Sequence, residues 1–190
     1  MNADGNIDVL IVDDEVEVTT LYEEWLSAHR THVAHDGQKA LTVLDRRGED
    51  IDVVLLDRKM PTLSGSKVLE RIHAQAYDCR VAMITAVAPD YDIIDMSFDE
   101  HITKPVDGDT IRRTVEALYS RAQYAETLTH YYSLVSTHAN LLAEHSYDDL
   151  QENDEFVSLE TEIESVRRSL DSSLEVDDHR EFQHVLREIQ

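Results

Sequence analysis

The stretch that decides the fold is IDVVLLDRKMP, residues Ile51 to Pro61. Five of its first six residues are apolar and three are β-branched, which is typical of a short strand buried on both faces of a parallel sheet. The run ends on the carboxylate of Asp57, and Pro61 cannot continue a strand ladder. Open α/β sheets place their ligands beyond the carboxyl ends of the strands, so Asp57 is a candidate functional residue. Taken alone, the pattern also fits an Asp that only caps a turn.

Polar residues follow three other predicted strands in the same way. Residues 7–12 are followed by Asp13 and Asp14, residues 79–84 by Thr85, and residues 101–103 by Lys104. With a further strand at residues 31–35 and helical patterns in between, strand and helix alternate five times. This alternation predicts an α/β fold with a five-stranded parallel sheet and helices on both faces. The polar residues at the strand ends are therefore expected at one edge of the sheet.

These side chains suit phosphoryl chemistry at a metal ion. Carboxylates held close together repel one another unless a cation lies among them, and Mg²⁺ prefers one or two carboxylates together with water and phosphate oxygens. With its charge screened, a carboxylate can attack a phosphoryl donor, while a lysine and a hydroxyl bind the phosphate oxygens. The other interpretation is a set of polar loop residues without a joint role, and the convergence of suitable residue types disfavours it.

The same residues resemble the receiver domain of two-component response regulators. The matching positions are Asp13 and Asp14, Asp57 with Met60 and Pro61 behind it, Gly65, Thr85 with Ala86, and Lys104 with Pro105. The resemblance implies a flavodoxin-like (βα)5 fold with the strand order 2-1-3-4-5. It also implies that Asp57 accepts a phosphoryl group from a sensor histidine kinase.

The resemblance also assigns roles around Asp57. Asp13, Asp14, Asp57 and the backbone carbonyl of Lys59 would hold Mg²⁺, while Thr85 and Lys104 would contact the phosphoryl group. Family members usually carry Tyr or Phe three residues before the lysine, as the partner of the switch hydroxyl, and here that residue is His101. His101 could act as the switch partner, and its charge would then make the switch depend on pH near neutrality. The other interpretation is a surface residue with a weakened relay.

The C-terminal part of the sequence predicts helices. After Gly108 the chain contains neither Gly nor Pro, which favours nearly continuous helix. Mostly apolar residues recur three and four apart from Tyr124 to Leu142, and again from Phe156 to Leu170, as in a coiled coil or a helical hairpin. This segment resembles the HalX domain of haloarchaeal regulators, which implies a role in transcriptional regulation. We therefore expect a receiver domain over residues 1–120 and an all-α, HalX-like domain over residues 121–190.

The composition is strongly acidic. The 190 residues include 40 Asp and Glu against 17 Lys and Arg, a formal net charge of −23. The excess extends over the whole chain, which favours a halophile's protein, because charge repulsion is screened within about 3 Å at molar ionic strength. The single cysteine, Cys79, excludes an internal disulfide. The sequence shows neither a signal peptide nor an apolar run long enough to span a bilayer, so we expect a cytoplasmic protein without membrane contact.

The main functional hypothesis is a response regulator, a phospho-accepting switch whose only chemistry is to gain and lose a phosphoryl group. The competing class is a phosphatase-like enzyme on the same sheet, which the helical C-terminal segment disfavours. For output, the apolar seams favour a homodimer or a partner protein. Direct DNA binding is the alternative, but residues 107–190 contain seven arginines against 19 carboxylates, and a DNA-binding surface needs a basic stripe.

Overall fold

The computed structural model describes residues 6–86 and 97–176. Its strands are β1 (Asp8–Val12), β2 (Arg30–Ala34), β3 (Val53–Asp57), β4 (Arg80–Thr85) and β5 (Glu100–Thr103). Its helices are α1 (Val16–Trp25), α2 (Gly37–Arg47), α3 (Gly65–Ala74), α4 (Gly108–Glu144), α5 (Tyr147–Gln151) and α6 (Asp154–Val176). The sequence also predicts short helices after Pro89 and around Phe182, and both lie outside the described residues.

The five strands form one parallel sheet in the order β2-β1-β3-β4-β5, which confirms the predicted fold class. β1 and β3, which pair at the centre, are buried at every position, as expected of strands covered on both faces. Because all strands are parallel, the carboxyl ends of β1, β3, β4 and β5 lie at the same edge. This arrangement gathers the polar residues that follow those strands.

Two hydrophobic layers cover the sheet, and successive side chains of the central strands alternate between them. Leu10 and Leu56 belong to the layer that includes residues of α2 and α3. Val9 and Leu55 belong to the layer that includes residues of α1 and the first part of α4. Full burial of a side chain of this size contributes about 1.5–3 kcal/mol. The layers therefore hold the strand ends in fixed positions.

The first part of α4 is anchored against the end of α1. Ile111 and Leu118 are buried in the second layer. Arg112 Nη1 donates a hydrogen bond of 3.3 Å to the carbonyl oxygen of Trp25. Trp25 in turn stacks on Tyr22, with 5.5 Å between the ring centroids. The last helix of the receiver unit is thus tied to its first.

Contacts divide the chain into two compact units, Met1–Arg121 and Ala122–Gln190. In the second unit, His130 Nε2 lies 3.1 Å from Glu162 Oε1, and His138 Nε2 lies 3.2 Å from Glu160 Oε1. Later residues of α4 thus contact earlier residues of α6, so the two helices run antiparallel. The predicted helical hairpin is confirmed.

Phe156 is the best-buried residue of the described part of this hairpin, at 2% exposure. Its ring stacks on His138 at 5.0 Å and meets Tyr147 edge-on at 6.2 Å. The apolar seam on α6 falls where the sequence places it. On α4 it shifts at its end, because Leu142 is 40% exposed and Leu141 is half-buried instead.

The turn between α4 and α6 contains the short helix α5, which the sequence pattern did not predict. Ser146 precedes it and its hydroxyl accepts a hydrogen bond of 3.3 Å from the amide of Asp149. Asn153 Oδ1 accepts a hydrogen bond of 3.0 Å from the amide of Phe156 and so caps α6. Among the residues described here, no helix is both long and apolar enough to cross a membrane.

Candidate functional site

Lys104 lies at the centre of the sheet edge where the polar residues of the strand ends meet. Its Nζ is 2.6 Å from Oδ2 of Asp13 and 2.9 Å from Oδ1 of Asp57. The side chains of the two aspartates are 3% and 8% exposed, and that of Lys104 is 16% exposed. Because little water reaches these atoms, the ammonium is the main compensation for two neighbouring carboxylates. Residues at the carboxyl ends of β1, β3 and β5 are thus brought into direct contact.

Backbone amides hold the remaining oxygens of the two aspartates. The amide of Glu15 donates to Oδ1 of Asp13 at 2.9 Å, and the amide of Lys59 donates to Oδ2 of Asp57 at 2.7 Å. Each carboxylate therefore has one oxygen on a backbone N–H and the other on Lys104. This pattern fixes the orientation of both groups before any ligand arrives.

Burial and charge shift the ionisation of this cluster. Burial raises the pKa of Asp57 above its usual range, although the contacts with Lys104 oppose the shift. Burial alone would lower the pKa of Lys104, but its hydrogen bonds to Asp13 and Asp57 outweigh that effect and the pKa is raised. Lys104 is therefore firmly cationic at neutral pH, and the charged form of Asp57 is less favourable here than in water.

Gly65, the first residue of α3, packs directly behind Asp57. A Cβ atom at this position would lie far inside van der Waals contact of the Asp57 carbonyl oxygen. The amide of Gly65 also donates to the carbonyl of Arg58 at 3.0 Å. The position needs glycine because the backbone of α3 and that of the β3 end approach so closely.

The other predicted site residues surround this cluster. Thr85 ends β4 and is 1% exposed, and its carbonyl oxygen accepts a hydrogen bond of 2.8 Å from the amide of Lys104. His101 is half-buried, its ring lies 5.7 Å from that of Phe98, and its Nε2 is buried without a hydrogen-bond partner. Asp14 is exposed. The structure therefore joins Asp13, Asp57 and Lys104 directly and leaves the Asp14 carboxylate in solvent.

The donor set fits Mg²⁺. Across residues 6–86 and 97–176, no three His, Cys, Asp or Glu side chains form a ready-made metal cluster. The carboxylates of Asp13 and Asp57 are nevertheless adjacent through Lys104, with Asp14 and the carbonyl of Lys59 next to them in the chain. All of these donors are hard oxygens, and Mg²⁺ is usually held by one or two carboxylates and several waters.

Tyr22 is a neighbour of the site that the sequence analysis did not single out. It is 3% exposed, and burial raises its pKa to about 12. The charges of Lys104, Asp13 and Asp57 also act on its hydroxyl. Its spacing on α1 signals a buried face but not which strand ends that face approaches.

A second polar cluster, which the sequence reasoning missed, involves the first residue of β1. Asp8 is 3% exposed, and its carboxylate lies 3.3 Å from Arg30 Nη1 and 3.1 Å from His32 Nε2. Its amide donates to Asp52 Oδ2 at 2.8 Å, and burial raises the pKa of Asp52. This cluster lies at the opposite end of the strand from Asp13. It ties β1 to β2 and to the segment before β3.

Comparison with known proteins places the two units in known families. Residues 9–116 match the response regulator receiver domain, and residues 120–186 match the HalX domain. Over 168 residues the chain is 39% identical to a candidate transcriptional regulator of Haloferax volcanii, a match that covers 87% of this chain and 28% of that protein.

Two further relatives match the receiver unit. The transcriptional regulatory protein CpxR of Escherichia coli K12 is 32% identical over 123 residues, covering 62% of this chain and 51% of CpxR. A chain in the crystal structure of the CheX–CheY–BeF3–Mg²⁺ complex from Borrelia burgdorferi matches with a TM-score of 0.55 and 27% identity, covering 60% of this chain and 89% of that one. The chain thus spans about half or less of the length of these curated relatives. Since the receiver match alone extends over more than half of its residues, the protein belongs to the response regulator receiver family and carries a HalX domain behind its receiver domain.

Proposed function

We propose that the chain is the phospho-accepting switch of a two-component system, with Asp57 as the acceptor. A carboxylate oxygen of Asp57 attacks the phosphorus of a kinase phosphohistidine. The new P–O bond forms as the P–N bond breaks, and the imidazole leaves with the electron pair of that bond and takes up a proton. The product is an acyl phosphate on Asp57, which water later hydrolyses.

The neighbouring residues have separate roles in this proposal. Asp13, Asp14, Asp57 and the carbonyl of Lys59 would hold Mg²⁺, which when bound neutralises the negative charge that builds up around the phosphoryl group. Lys104 supplies a fixed positive charge to the phosphoryl oxygens. The amide of Lys59, already bonded to Asp57 at 2.7 Å, keeps the carboxylate in place while the bond forms.

The contact of Lys104 with both Asp13 and Asp57 carries this proposal. A buried ammonium between two carboxylates is a site already organised for an ion pair with a more negative ligand. The Mg²⁺ and BeF3 in the Borrelia burgdorferi complex support the same assignment. An enzyme that turns over a separate substrate has no comparable support in the described part of the chain.

Phosphorylation can be tested by mass spectrometry of the full chain. Incubation with a small-molecule phosphodonor and Mg²⁺ is expected to add one phosphoryl group, which Asp57→Asn and a chelator both abolish. Asp50→Asn is a matched control, because Asp50 is an exposed aspartate outside the cluster. Equal labelling of the Asp57→Asn variant, or labelling that ignores the chelator, would show that the assignment is wrong.

Thr85 and His101 are the proposed switch residues. Thr85 is joined through its carbonyl to Lys104. It pairs with Thr103 in the β4–β5 register, and His101 lies two residues earlier on β5, opposite Met83. A phosphoryl group that draws the Thr85 hydroxyl inward would open space toward the His101 ring. Hydrogen exchange of β4 and β5 with and without fluoroberyllate tests this relay. Unchanged exchange in both strands, with fluoroberyllate bound, would contradict it.

For output we propose a protein partner that serves transcription, in preference to direct DNA binding. Four of the five arginines of α4 and α6 already lie beside carboxylates. Arg112 pairs with Asp109, Arg121 lies 3.4 Å from Glu100, and Arg167 and Arg168 each lie 3.9 Å from Glu164. A phosphate group of DNA would have to displace these carboxylates before it could bind the arginines. The regulators named among the relatives support a role in transcription.

Promoter occupancy separates the two outputs. Chromatin pull-down of the tagged protein is compared with a variant carrying Leu159→Asp and Ile163→Asp, two half-buried seam positions of α6. Loss of occupancy in the variant, together with no specific DNA binding by the purified protein, is the expected result. Occupancy that survives the substitutions, with specific binding of purified protein to the same promoters, would establish direct DNA binding instead.

A further inference from the structure

One strand end at this edge of the sheet has no part in the site described so far. The site uses residues at the carboxyl ends of β1, β3, β4 and β5, but β2 ends at the same edge because it is parallel to β1. The residue that follows β2 is His35, which the sequence pattern places at the end of that strand. An imidazole differs from the carboxylates and the ammonium of the site, since a neutral ring can both donate and accept a hydrogen bond.

His35 is a neighbour of Asp13 across the β1–β2 pair. Val12 and Ala34 form the last pair of the register, and the ladder continues one step further, because the amide of Asp13 donates to the carbonyl oxygen of Ala34 at 3.2 Å. Val12 and Ala34 both pack in the hydrophobic layer of α2 and α3. Because side chains alternate along a strand, those of Asp13 and His35 lie on the other face of the sheet. His35 is thus next to an aspartate that contacts Lys104.

The ring of His35 has a nitrogen that needs a hydrogen-bond partner. Its Nδ1 is buried and makes no hydrogen bond to any residue that the structure describes, although the residue as a whole is half-buried. Leaving a buried polar atom without a hydrogen bond destabilises a fold, and most such atoms in native proteins bond to a protein group or to ordered water. Nδ1 is therefore available to a water or a ligand at the edge of the site.

His29 provides an internal comparison. It is also half-buried, and its Nδ1 likewise lacks a hydrogen bond within residues 6–86 and 97–176. His29 comes directly before β2, whereas His35 comes directly after it. The two histidines therefore lie at opposite ends of the same strand, and only the end with His35 carries the proposed site.

We propose that His35 is a positioning residue of the metal site, and that its Nδ1 accepts a hydrogen bond from a water molecule bound to Mg²⁺. The inference rests on the proposed function, in which Asp13, Asp14 and Asp57 hold the ion. Mg²⁺ in proteins usually keeps several waters, and a bound cation makes the protons of such waters better donors. A neutral imidazole nitrogen can accept one of these protons, whereas the ammonium of Lys104 can only donate.

The charge of the site favours a neutral acceptor at this position. Three aspartates surround one lysine, so another carboxylate would increase the repulsion that the ion has to offset. Another cationic side chain would repel the ion. A neutral imidazole holds the water without adding charge of either sign. Groups that orient the ligands of a metal in this way commonly raise its affinity without touching it.

Magnesium binding to the full, unphosphorylated chain tests the role of His35. In isothermal titration calorimetry at one fixed pH, His35→Ala is expected to raise the Kd about fivefold, as for the loss of one ordinary hydrogen bond. His29→Ala removes the same ring at the other end of β2 and is expected to leave the Kd unchanged. His35→Asn is expected to restore most of the affinity, because its amide oxygen can accept the hydrogen bond in place of Nδ1. Equal Kd values for His35→Ala and His29→Ala, or no recovery in His35→Asn, would overturn the proposal.

A measurement on the wild-type chain covers the case in which His35→Ala does not fold. Mn²⁺ used in place of Mg²⁺ broadens the NMR signals of nearby nuclei. At low occupancy, the ring signals of His35 are expected to broaden while those of His29 stay sharp. Broadening of neither histidine, or of both equally, would overturn the proposal. Failure of wild type to bind Mg²⁺ and to take up a phosphoryl group would overturn the proposed function as well, whereas normal binding and phosphorylation with sharp His35 signals would count against His35 alone.

Discussion

The ammonium of Lys104 lies 2.9 Å from a carboxylate oxygen of Asp57. The nitrogen thus occupies one side of the group that we propose as phospho-acceptor. In the proposed site, a divalent ion at Asp13 and Asp57 would share these carboxylates with the ammonium. Lys104 would therefore both prepare the site for a phosphoryl group and compete with the metal before that group arrives.

Lys104→Gln is expected to tighten Mg²⁺ binding. Removing one positive charge about 4 Å from a divalent ion would save about 2 kcal/mol even in high dielectric, or about thirtyfold in Kd. Isothermal titration calorimetry of the unphosphorylated chain measures this difference. Lys67→Gln is the control, because Lys67 pairs with Glu70 on the exposed side of α3. Weaker or unchanged binding in Lys104→Gln would contradict the competition.

Asp57→Asn is expected to stabilise the fold at neutral pH. Burial raises the pKa of Asp57 in the folded state, so ionising this group costs more in the folded than in the unfolded chain. The contribution of Asp57 to stability is present below the pKa that this group has in the unfolded chain. It is lost as the pH rises through the pKa of the group in the folded protein. The higher free energy of unfolding of Asp57→Asn relative to wild type should thus be seen near pH 7 and vanish below about pH 4.

Urea unfolding across this pH range measures the effect. Asp50→Asn removes the same charge from an exposed position. It therefore measures how much stability comes only from lower charge repulsion in this acidic chain. A variant that is less stable than wild type near pH 7 would show that the Lys104 contact outweighs the cost of burial.

Gly65→Ala is expected to destabilise the receiver unit by about 1–3 kcal/mol, the usual cost of overpacking. The added methyl group would collide with the Asp57 carbonyl, so phosphorylation by a small donor is also expected to slow. Ser64→Ala is the control, since Ser64 makes no side-chain cap hydrogen bond at the start of α3. Equal stability of the two variants would mean that the backbone relaxes easily.

Phe156→Ala is expected to open the α4–α6 hairpin. Phe156 is 2% exposed between His138 and Tyr147, and loss of such a ring costs about 3–5 kcal/mol. Val157→Ala, next to it and 45% exposed, is expected to cost far less. Hydrogen exchange of α6 distinguishes the two. Similar protection in both variants would show that the hairpin does not depend on this contact.

The fold and the members of the site were predictable because both follow from strand ends. A buried run such as residues 53–56 has only one stable place, inside a covered sheet, and the parallel order then brings Asp13, Asp57 and Lys104 to one edge. The distances were not predictable. Whether an exposed Asp14 or a buried Asp13 faces the acceptor depends on the turn after β1, which residue types alone do not determine.

Contacts between residues far apart in the sequence were also not predictable from residue types alone. Asp8 and His32 lie 24 residues apart and make their contact only through the β1–β2 register. The α4 seam ends at Leu141 rather than at the predicted Leu142, shortly before the turn that contains α5. A periodic pattern gives the face of a helix, but the partner element sets where that face ends.

The stacking of Trp25 on Tyr22 gives the protein its own optical reporter. Trp25 is the only tryptophan in the chain, so near-ultraviolet excitation yields emission from one known place. Tyr22, 5.5 Å away, already responds to the charges of Asp13, Asp57 and Lys104. A cation or a phosphoryl group that enters among them changes the local field at the stacked rings. The intensity or wavelength of that emission is thus expected to follow occupancy of the site in real time, with no attached dye.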